Sequence, residues 1–295
     1  MGLFSIFKKS NVLYFPGCIT YFKHKDIFEL YQNIFDRLDI EFRIIDKKIC
    51  CGIPALEAGY DNEARKLARR NFEIFKEEEI TKIITNSPCC YKMFSQDYSM
   101  LLPEWNIDLV NLWEVILEKL EERPGLIKNK ADDFETVGYQ DSCYLGRYSN
   151  IYDEPRKILK MIGCNLKEIP DTKQETICCG SCGGLPDTNP KLADDIAKER
   201  IMQAKRAGIK KIVVSSLKDY ELLKKNSVDS GIDIIELGEV LGLALGIIKH
   251  RIKEEANEKI EEREILSETE ANMKIEEELK EEDYYDKVGE GEDDN

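Results

Sequence analysis

Histidine is scarce in this chain: its 295 residues include two, His24 and His250. Imidazole ligation of a metal has little to draw on, and each ring is expected at the solvated surface. A basic face is missing as well. Lysine and arginine number 43 against 58 acidic residues, a formal charge of −15. Residues 251–295 alone hold 7 basic and 19 acidic side chains, which leaves the body 1–250 at −3. That balance argues against nucleic-acid binding and assigns the acidity to a tail. Long apolar runs are absent too. The longest late one, residues 241–248, is far short of the ~20 residues that span a bilayer. The first nine residues lack the apolar core of a secretion signal, and Ile6 stands where a myristoylation signal needs Ser or Thr. A cytoplasmic chain with no transmembrane segment is expected. Gly180-Ser181-Cys182-Gly183-Gly184 has neither the lysine nor the spacing of a phosphate loop. No flavin or nicotinamide fingerprint occurs either, so any redox chemistry needs partners to supply and remove electrons.

Cysteine, by contrast, is plentiful. Ten cysteines in a chain without a secretion signal suggest metal ligation in a reducing compartment rather than disulfides. Their arrangement is the strongest feature of the sequence. Cys50-Cys51-Gly52 has an echo in Cys178-Cys179-Gly180. A lone cysteine precedes each triplet, Cys18 in the first half and Cys143 in the second, and a strand-like run follows each, residues 82–85 and 211–214. The offset between halves is 125 residues at the lone cysteines, 128 at the pairs, and 125 again between 107–115 and 232–240. A near-constant offset marks an internal duplication.

Strand and helix patterns alternate in both halves. In the first, residues 11–15, 40–45, 80–85 and 107–110 read as strands, and 27–38, 62–79 and 113–120 read as helices by their apolar spacing. Pro16-Gly17 ends the first strand, with Cys18 in the loop beyond. The second half repeats the order, with strands at 136–139, 166–169, 209–214 and 232–235 and helices at 155–162 and 190–207. The expected fold is α/β: two pseudo-symmetric repeats, each a small, mostly parallel sheet flanked by helices. The expected boundaries are 1–125 for the first repeat, 134–250 for the second and 251–295 for the acidic tail. Mixed charges at 253–280 suggest a solvated, partly frayed helix that gives way to disorder. In parallel sheets ligands gather beyond the carboxyl ends of the strands. Each cysteine group of the first half follows a strand end, so groups far apart in sequence can meet on one rim.

A thiolate set without histidine or carboxylate partners favours iron–sulfur clusters or zinc. The chain resembles the CCG-domain, or cysteine-rich-domain, family of heterodisulfide reductase B and D subunits, whose relatives serve glycerol-3-phosphate, glycolate and lactate oxidation. Phe15-Pro16-Gly17-Cys18, Cys50-Cys51-Gly52 and Ser87-Pro88-Cys89-Cys90-Tyr91 carry the likeness in the first half. In the second it is carried by Gln140-Asp141-Ser142-Cys143-Tyr144-Leu145-Gly146-Arg147 and by residues 178–184. The resemblance spans roughly residues 10–248. It implies a [4Fe-4S] cluster at each complete motif, noncubane in some members. It further implies electron transfer with partner subunits that carry flavin or ferredoxin-type clusters and, in some members, a disulfide substrate reduced at the clusters.

The chain departs from the family pattern, in which each motif closes with Cys-Pro-x-Cys. Ser87 replaces the first closing cysteine of the first half, Cys90 keeps the second, and Cys89 is extra. Cys18, Cys50, Cys51 and Cys90 still make four thiolates, with Cys89 in reserve. In the second half Ser216 and Asp219 replace both closing cysteines. Cys143, Cys178 and Cys179 remain, and Cys182, in a usual glycine position, is the compensating candidate, with zinc as an alternative metal there. Cys182 is expected to turn toward the other three. Cys164 aligns with an apolar position and is expected in the core. The reading is an electron-transfer subunit with a cluster in the first repeat and a degenerate second site. Direct disulfide reduction, or a zinc-stabilised interaction module without turnover, are the alternatives.

Overall fold

The computed structural model describes residues 10–45, 49–129 and 136–248. The expectations for the acidic tail, for His250 and for the first nine residues fall outside them. Apolar, β-branched runs form two three-stranded parallel sheets. The first has β1 (Val12–Tyr14), β2 (Lys82–Ile84) and β3 (Asp108–Val110) in the order β1-β2-β3, with Leu13 opposite Ile83 and Ile83 opposite Leu109. The second has β4 (Val137–Gln140), β5 (Lys211–Val214) and β6 (Asp233–Glu236) in the order β4-β5-β6. The duplicated α/β architecture read from the sequence is therefore present. Helices flank each sheet because parallel strands require crossovers.

The expected strands at 40–45 and 166–169 shrink to single bridges, Arg43 to Leu13 and Leu166 to Val137. Each makes one reciprocal pair of backbone hydrogen bonds: Tyr14 N to Arg43 O and Arg43 N to Val12 O, both 2.9 Å, and their counterparts around Val137. Both segments lie at the outer edge of their sheet, beside β1 and β4, and among the described residues no further strand pairs with their far side. Cys18, expected in a loop, instead opens the short helix Cys18–Phe22, because Gly17 at φ 77° turns the chain and its carbonyl accepts from Tyr21 N.

The described residues up to Ile247 belong to one compact unit. The two repeats join through the same contact made twice. Helix Leu112–Glu122 of the first packs on helix Asp153–Met161 of the second, and helix Leu237–Ala244 of the second packs on helix Lys25–Arg37 of the first. Such reciprocity is the signature of a twofold interface, here within one chain. Helix Lys25–Arg37 buries Ile27, Leu30, Tyr31, Ile34 and Phe35 along one stripe. Tyr31 crosses the interface and donates to Glu236 Oε1 at 2.7 Å. Burial pushes the Glu236 carboxyl up to about 8. Among the described residues no helix is long and apolar enough to cross a membrane.

Candidate thiolate centres

The duplication also sets the rim on which the cysteines stand. β1 ends at Tyr14, whose hydroxyl donates to Asn86 Oδ1 at 3.1 Å, just past the end of β2. In the second half, Tyr139 in β4 pairs with Ser215 Oγ at 2.8 Å, just past the end of β5. In each half this bond ties the two strand exits that carry the lone cysteine and the closing segment.

In the first half three segments converge. Gly17 lies so close to Ser87 that a Cβ there would stand 2.9 Å from the Ser87 side chain and 3.2 Å from Cys90 Sγ. Gly52, at φ 93°, ends the cysteine pair and starts helix Ile53–Glu57. After β2, helix Pro88–Lys92 carries Cys89 and Cys90 and runs into a π-helical turn, Met93–Asp97, a geometry frequent at functional sites. Cys90 Sγ donates to Cys51 Sγ at 3.4 Å, and the thiols of Cys18 and Cys50, of Cys50 and Cys51, and of Cys89 and Cys90 shift one another's acidity. Ser87 Oγ lies 3.3 Å from Cys89 Sγ. Buried amides and hydroxyls hold the backbone behind them. Asn71 donates to Cys50 O at 2.7 Å and to Tyr98 Oη at 2.8 Å, and Tyr98 donates to Cys51 O at 3.0 Å. Hydrogen bonds from Cys50 and Cys90 bring the Cys51 thiol down to about 6 despite its burial. The bond from Cys90, aided by Lys218, brings Cys89 to about 7.

The second group is built by the same turn. Gly180, at φ 95°, follows its cysteine pair, and a Cβ there would lie 2.8 Å from the Ala193 carbonyl oxygen. Gly180→Ala is expected to destabilise the fold by roughly 1–3 kcal/mol, measured by urea unfolding. A loss of a few tenths would show that the turn relaxes freely. Cys143, Cys178 and Cys182 bring their sulfurs within 4.8 Å of one another. Arg147, four residues beyond Cys143 in the same turn segment, donates to its sulfur at 2.8 Å. Cys179 lies deeper, 2% exposed, with Sγ 3.5 Å from Ser181 Oγ. Ser216 caps helix Leu217–Ser227 and accepts from Asp219 N. Asp219 is buried. Its Oδ1 accepts from Ser181, while Oδ2 has no hydrogen-bond partner among the described residues, and desolvation pushes the carboxyl up to about 6.

All ten cysteines are free. Two all-sulfur groups, each at the carboxyl ends of a parallel sheet, form a donor set suited to an iron–sulfur cluster or to zinc. Cys164 stands apart in the core, with its thiol pushed by burial up to about 12. His24 corrects the expectation of a solvated ring. Its side chain is 21% exposed and bonds Glu221 at 3.2 Å, because helices Cys18–Phe22 and Leu217–Ser227 pack against each other there. Arg147 was legible as part of the Cys143 motif but not as a sulfur donor, and its four-residue spacing from Cys143 was the available signal. Asn71, Tyr98 and Lys218 have no such signal, because their partners lie 21 or more residues away.

The profile of the cysteine-rich domain (CCG) matches residues 12–95 and 137–217. The chain is 30% identical over 202 residues to the D subunit of the dihydromethanophenazine:CoB–CoM heterodisulfide reductase of Methanosarcina acetivorans, covering 66% of this chain and 49% of that protein. It is 27% identical over 244 residues to an uncharacterized iron–sulfur protein of Methanocaldococcus jannaschii, covering 79% and 47%. It is 29% identical over 178 residues to the probable iron–sulfur-binding oxidoreductase FadF of Bacillus subtilis, covering 59% and 24%. The chain thus spans about half the length of the first two of these relatives and about a quarter of the third.

Proposed function

The chain belongs to the cysteine-rich (CCG) domain family, and from that premise we propose that it is an iron–sulfur electron-transfer subunit of a heterodisulfide-reductase-like oxidoreductase. The observation that carries this reading is the convergence of the segments bearing Cys18, Cys50-Cys51 and Cys90 on one rim, with the Cys51 and Cys90 sulfurs 3.4 Å apart. Those four hold a [4Fe-4S] cluster, with Cys89 in reserve, and Cys143, Cys178 and Cys182 hold the second centre, with Cys179 behind them. Bound there, a cluster supplies one-electron transfer at thiolate-ligated iron. The chain's own residues orient and shield it. Asn71 and Tyr98 anchor the carbonyls of Cys50 and Cys51. Arg147 offsets negative charge at Cys143. Phe94 and Tyr98, both buried, help keep water from the first group. Partner subunits with flavin or ferredoxin-type clusters supply and remove the electrons. One centre is assigned to each of the duplicated repeats, 1–125 and 134–250, and the acidity of the chain to residues 251–295.

Zinc in the second group is a second reading, favoured by one observation. Three sulfurs lie within 4.8 Å there and both closing cysteines are replaced. Three thiolates and one open position suit zinc as well as iron. Anaerobic iron, sulfide and zinc analysis of the wild type and of Cys182→Ser decides between the two. The wild type should be brown. The variant should lose the second group's metal and keep the first group's iron and colour. The identity of the lost metal distinguishes the readings, and a colourless wild type with zinc in both groups would sink the electron-transfer proposal. Unchanged metal in Cys182→Ser would make that residue a spacer in a glycine position.

A further inference from the structure

The two thiolate groups are not remote from each other. Tyr144, adjacent to Cys143 in the second half, is 3% exposed and packs in the hydrophobic core of the first half, and Cys182 packs against the same core. The Tyr144 hydroxyl donates to Glu57, a first-half residue five beyond Gly52. Above this ring, with Nζ 5.8 Å from its centroid, stands Lys218.

Lys218 occupies a particular place in the duplication. Ser216, Asp219 and Tyr220 correspond to Ser87, Cys90 and Tyr91 at an offset of 129 residues, which sets Lys218 opposite Cys89 in the alignment of the two halves. In a twofold arrangement, equivalent positions close to the axis face each other. Here one equivalent position carries a cation and the other a thiol. The Lys218 helix, Leu217–Ser227, packs on helix Cys18–Phe22 of the first group, and Lys218 lines one cleft with Ser181 of the second, so it borders both groups. The charges of Cys89, Glu57, Cys182 and Cys51 act on its ammonium. It remains protonated despite partial burial because those anionic neighbours outweigh the desolvation. The other lysines beside it, in the cleft lined by Ile19, Ser181 and Glu221, are already paired: Lys23 with Glu221 at 3.3 Å and Lys225 with Asp194 at 2.8 Å.

We propose that Lys218 is the counter-charge shared by the two thiolate groups and that it raises the potential at which an electron enters them. The inference rests on the iron–sulfur reading above. In the step concerned, one electron passes from a reduced mediator dye to a cluster, ferric iron becomes ferrous, and no bond forms or breaks. A fixed cation nearby stabilises the added negative charge, and cluster potentials respond to local charge in this way. The cation stands over Tyr144, the ring that reaches from the second half into the core of the first, whereas Arg147 touches the second group alone.

The test is a mediated potentiometric titration of the anaerobically prepared full chain, followed by electron paramagnetic resonance. Lys218→Gln keeps much of the side chain's length and polarity and removes the charge. The first-group midpoint should fall by about 59 mV, a tenfold loss in the one-electron equilibrium. Lys218→Arg should stay close to the wild type, and Glu57→Gln, which removes an opposing charge, should move the midpoint upward. Iron content and thermal unfolding should match the wild type, which separates an electrostatic role from a merely structural one. A midpoint that neither falls in Lys218→Gln nor rises in Glu57→Gln, with iron retained, overturns the proposal. Should Lys218→Gln lose iron, a Glu57→Gln midpoint that does not rise overturns it equally. A wild type without iron overturns instead the iron–sulfur reading on which it rests.

Discussion

Cys51→Ser is expected to abolish iron binding in the first group. The residue is 1% exposed, is joined in sequence to Cys50 and has its sulfur 3.4 Å from that of Cys90, so its loss removes the buried middle of the group. Serine offers a harder oxygen donor on a shorter bond, and at ordinary pH it is a hydroxyl rather than an anion. Iron bound per chain should drop to the second group's share, with a matching loss of visible absorbance, in protein purified anaerobically. Cys89→Ser should cost much less, because Ser87 already neighbours it at 3.3 Å. Full iron retention in Cys51→Ser would mean that the converging thiols are not the ligand set. A loss in Cys89→Ser as deep as in Cys51→Ser would give Cys89 a place among the primary ligands.

Arg156→Met should produce the largest loss of stability, about 3–5 kcal/mol, as expected when a buried ion pair loses one partner. The guanidinium is gripped from three sides. It donates to Asp141 Oδ1 and Oδ2 at 2.6 and 2.8 Å, to Glu168 at 2.8 and 2.9 Å, and to Thr172 at 2.6 Å. It also lies 5.0 Å from the centroid of the Tyr139 ring. Removing it strands Asp141, which is 2% exposed and accepts also from Thr172 and from Lys173 N. Asp141 lies two residues before Cys143, so the damage should reach the second thiolate group. Denaturant unfolding reads the stability, and metal analysis at low denaturant reads the local effect. The double variant Arg156→Met with Asp141→Leu should recover part of the loss, because no charge is then left buried alone. A single-variant loss below about 1 kcal/mol would mean that water replaces the arginine, as happens for exposed pairs.

Much of the fold was legible because local patterns report local structure. The spacing of Ile27, Leu30, Tyr31, Ile34 and Phe35 marks one stripe of a helix, and that stripe is buried. The runs around Ile83 and Ile212 mark central strands, and both residues are fully buried. The segments around Arg43 and Leu166 carry the same kind of signal yet pair at a single residue each. Periodicity reports that a face is half-buried. It does not report whether a neighbour lies within reach on both sides, and at a sheet edge that decides how far a strand extends. The partner of the His24 ring is hidden from the sequence for a similar reason. Its neighbour Glu221 is 197 residues away, on a helix of the other half.

The sequence by itself determined that the thiolates come in two groups. Two Cys-Cys-Gly turns at a constant offset, each placed after strands that must run parallel, leave them one place to meet: the carboxyl rim of each sheet. The replacement of the closing cysteines by Ser216 and Asp219 was equally plain, since it is a matter of residue identity. Tertiary structure alone decided how the two rims face each other. Reciprocal packing of helix Leu112–Glu122 on Asp153–Met161 and of Leu237–Ala244 on Lys25–Arg37 turns the halves about a twofold relation. That packing carries Tyr144 and Cys182 onto the core of the first half and sets Lys218 over the Tyr144 ring. No spacing within either repeat encodes this. It follows from the shape and apolar area of two interfaces formed by residues more than a hundred positions apart in one pair and about forty in the other, and those are settled only when the side chains pack.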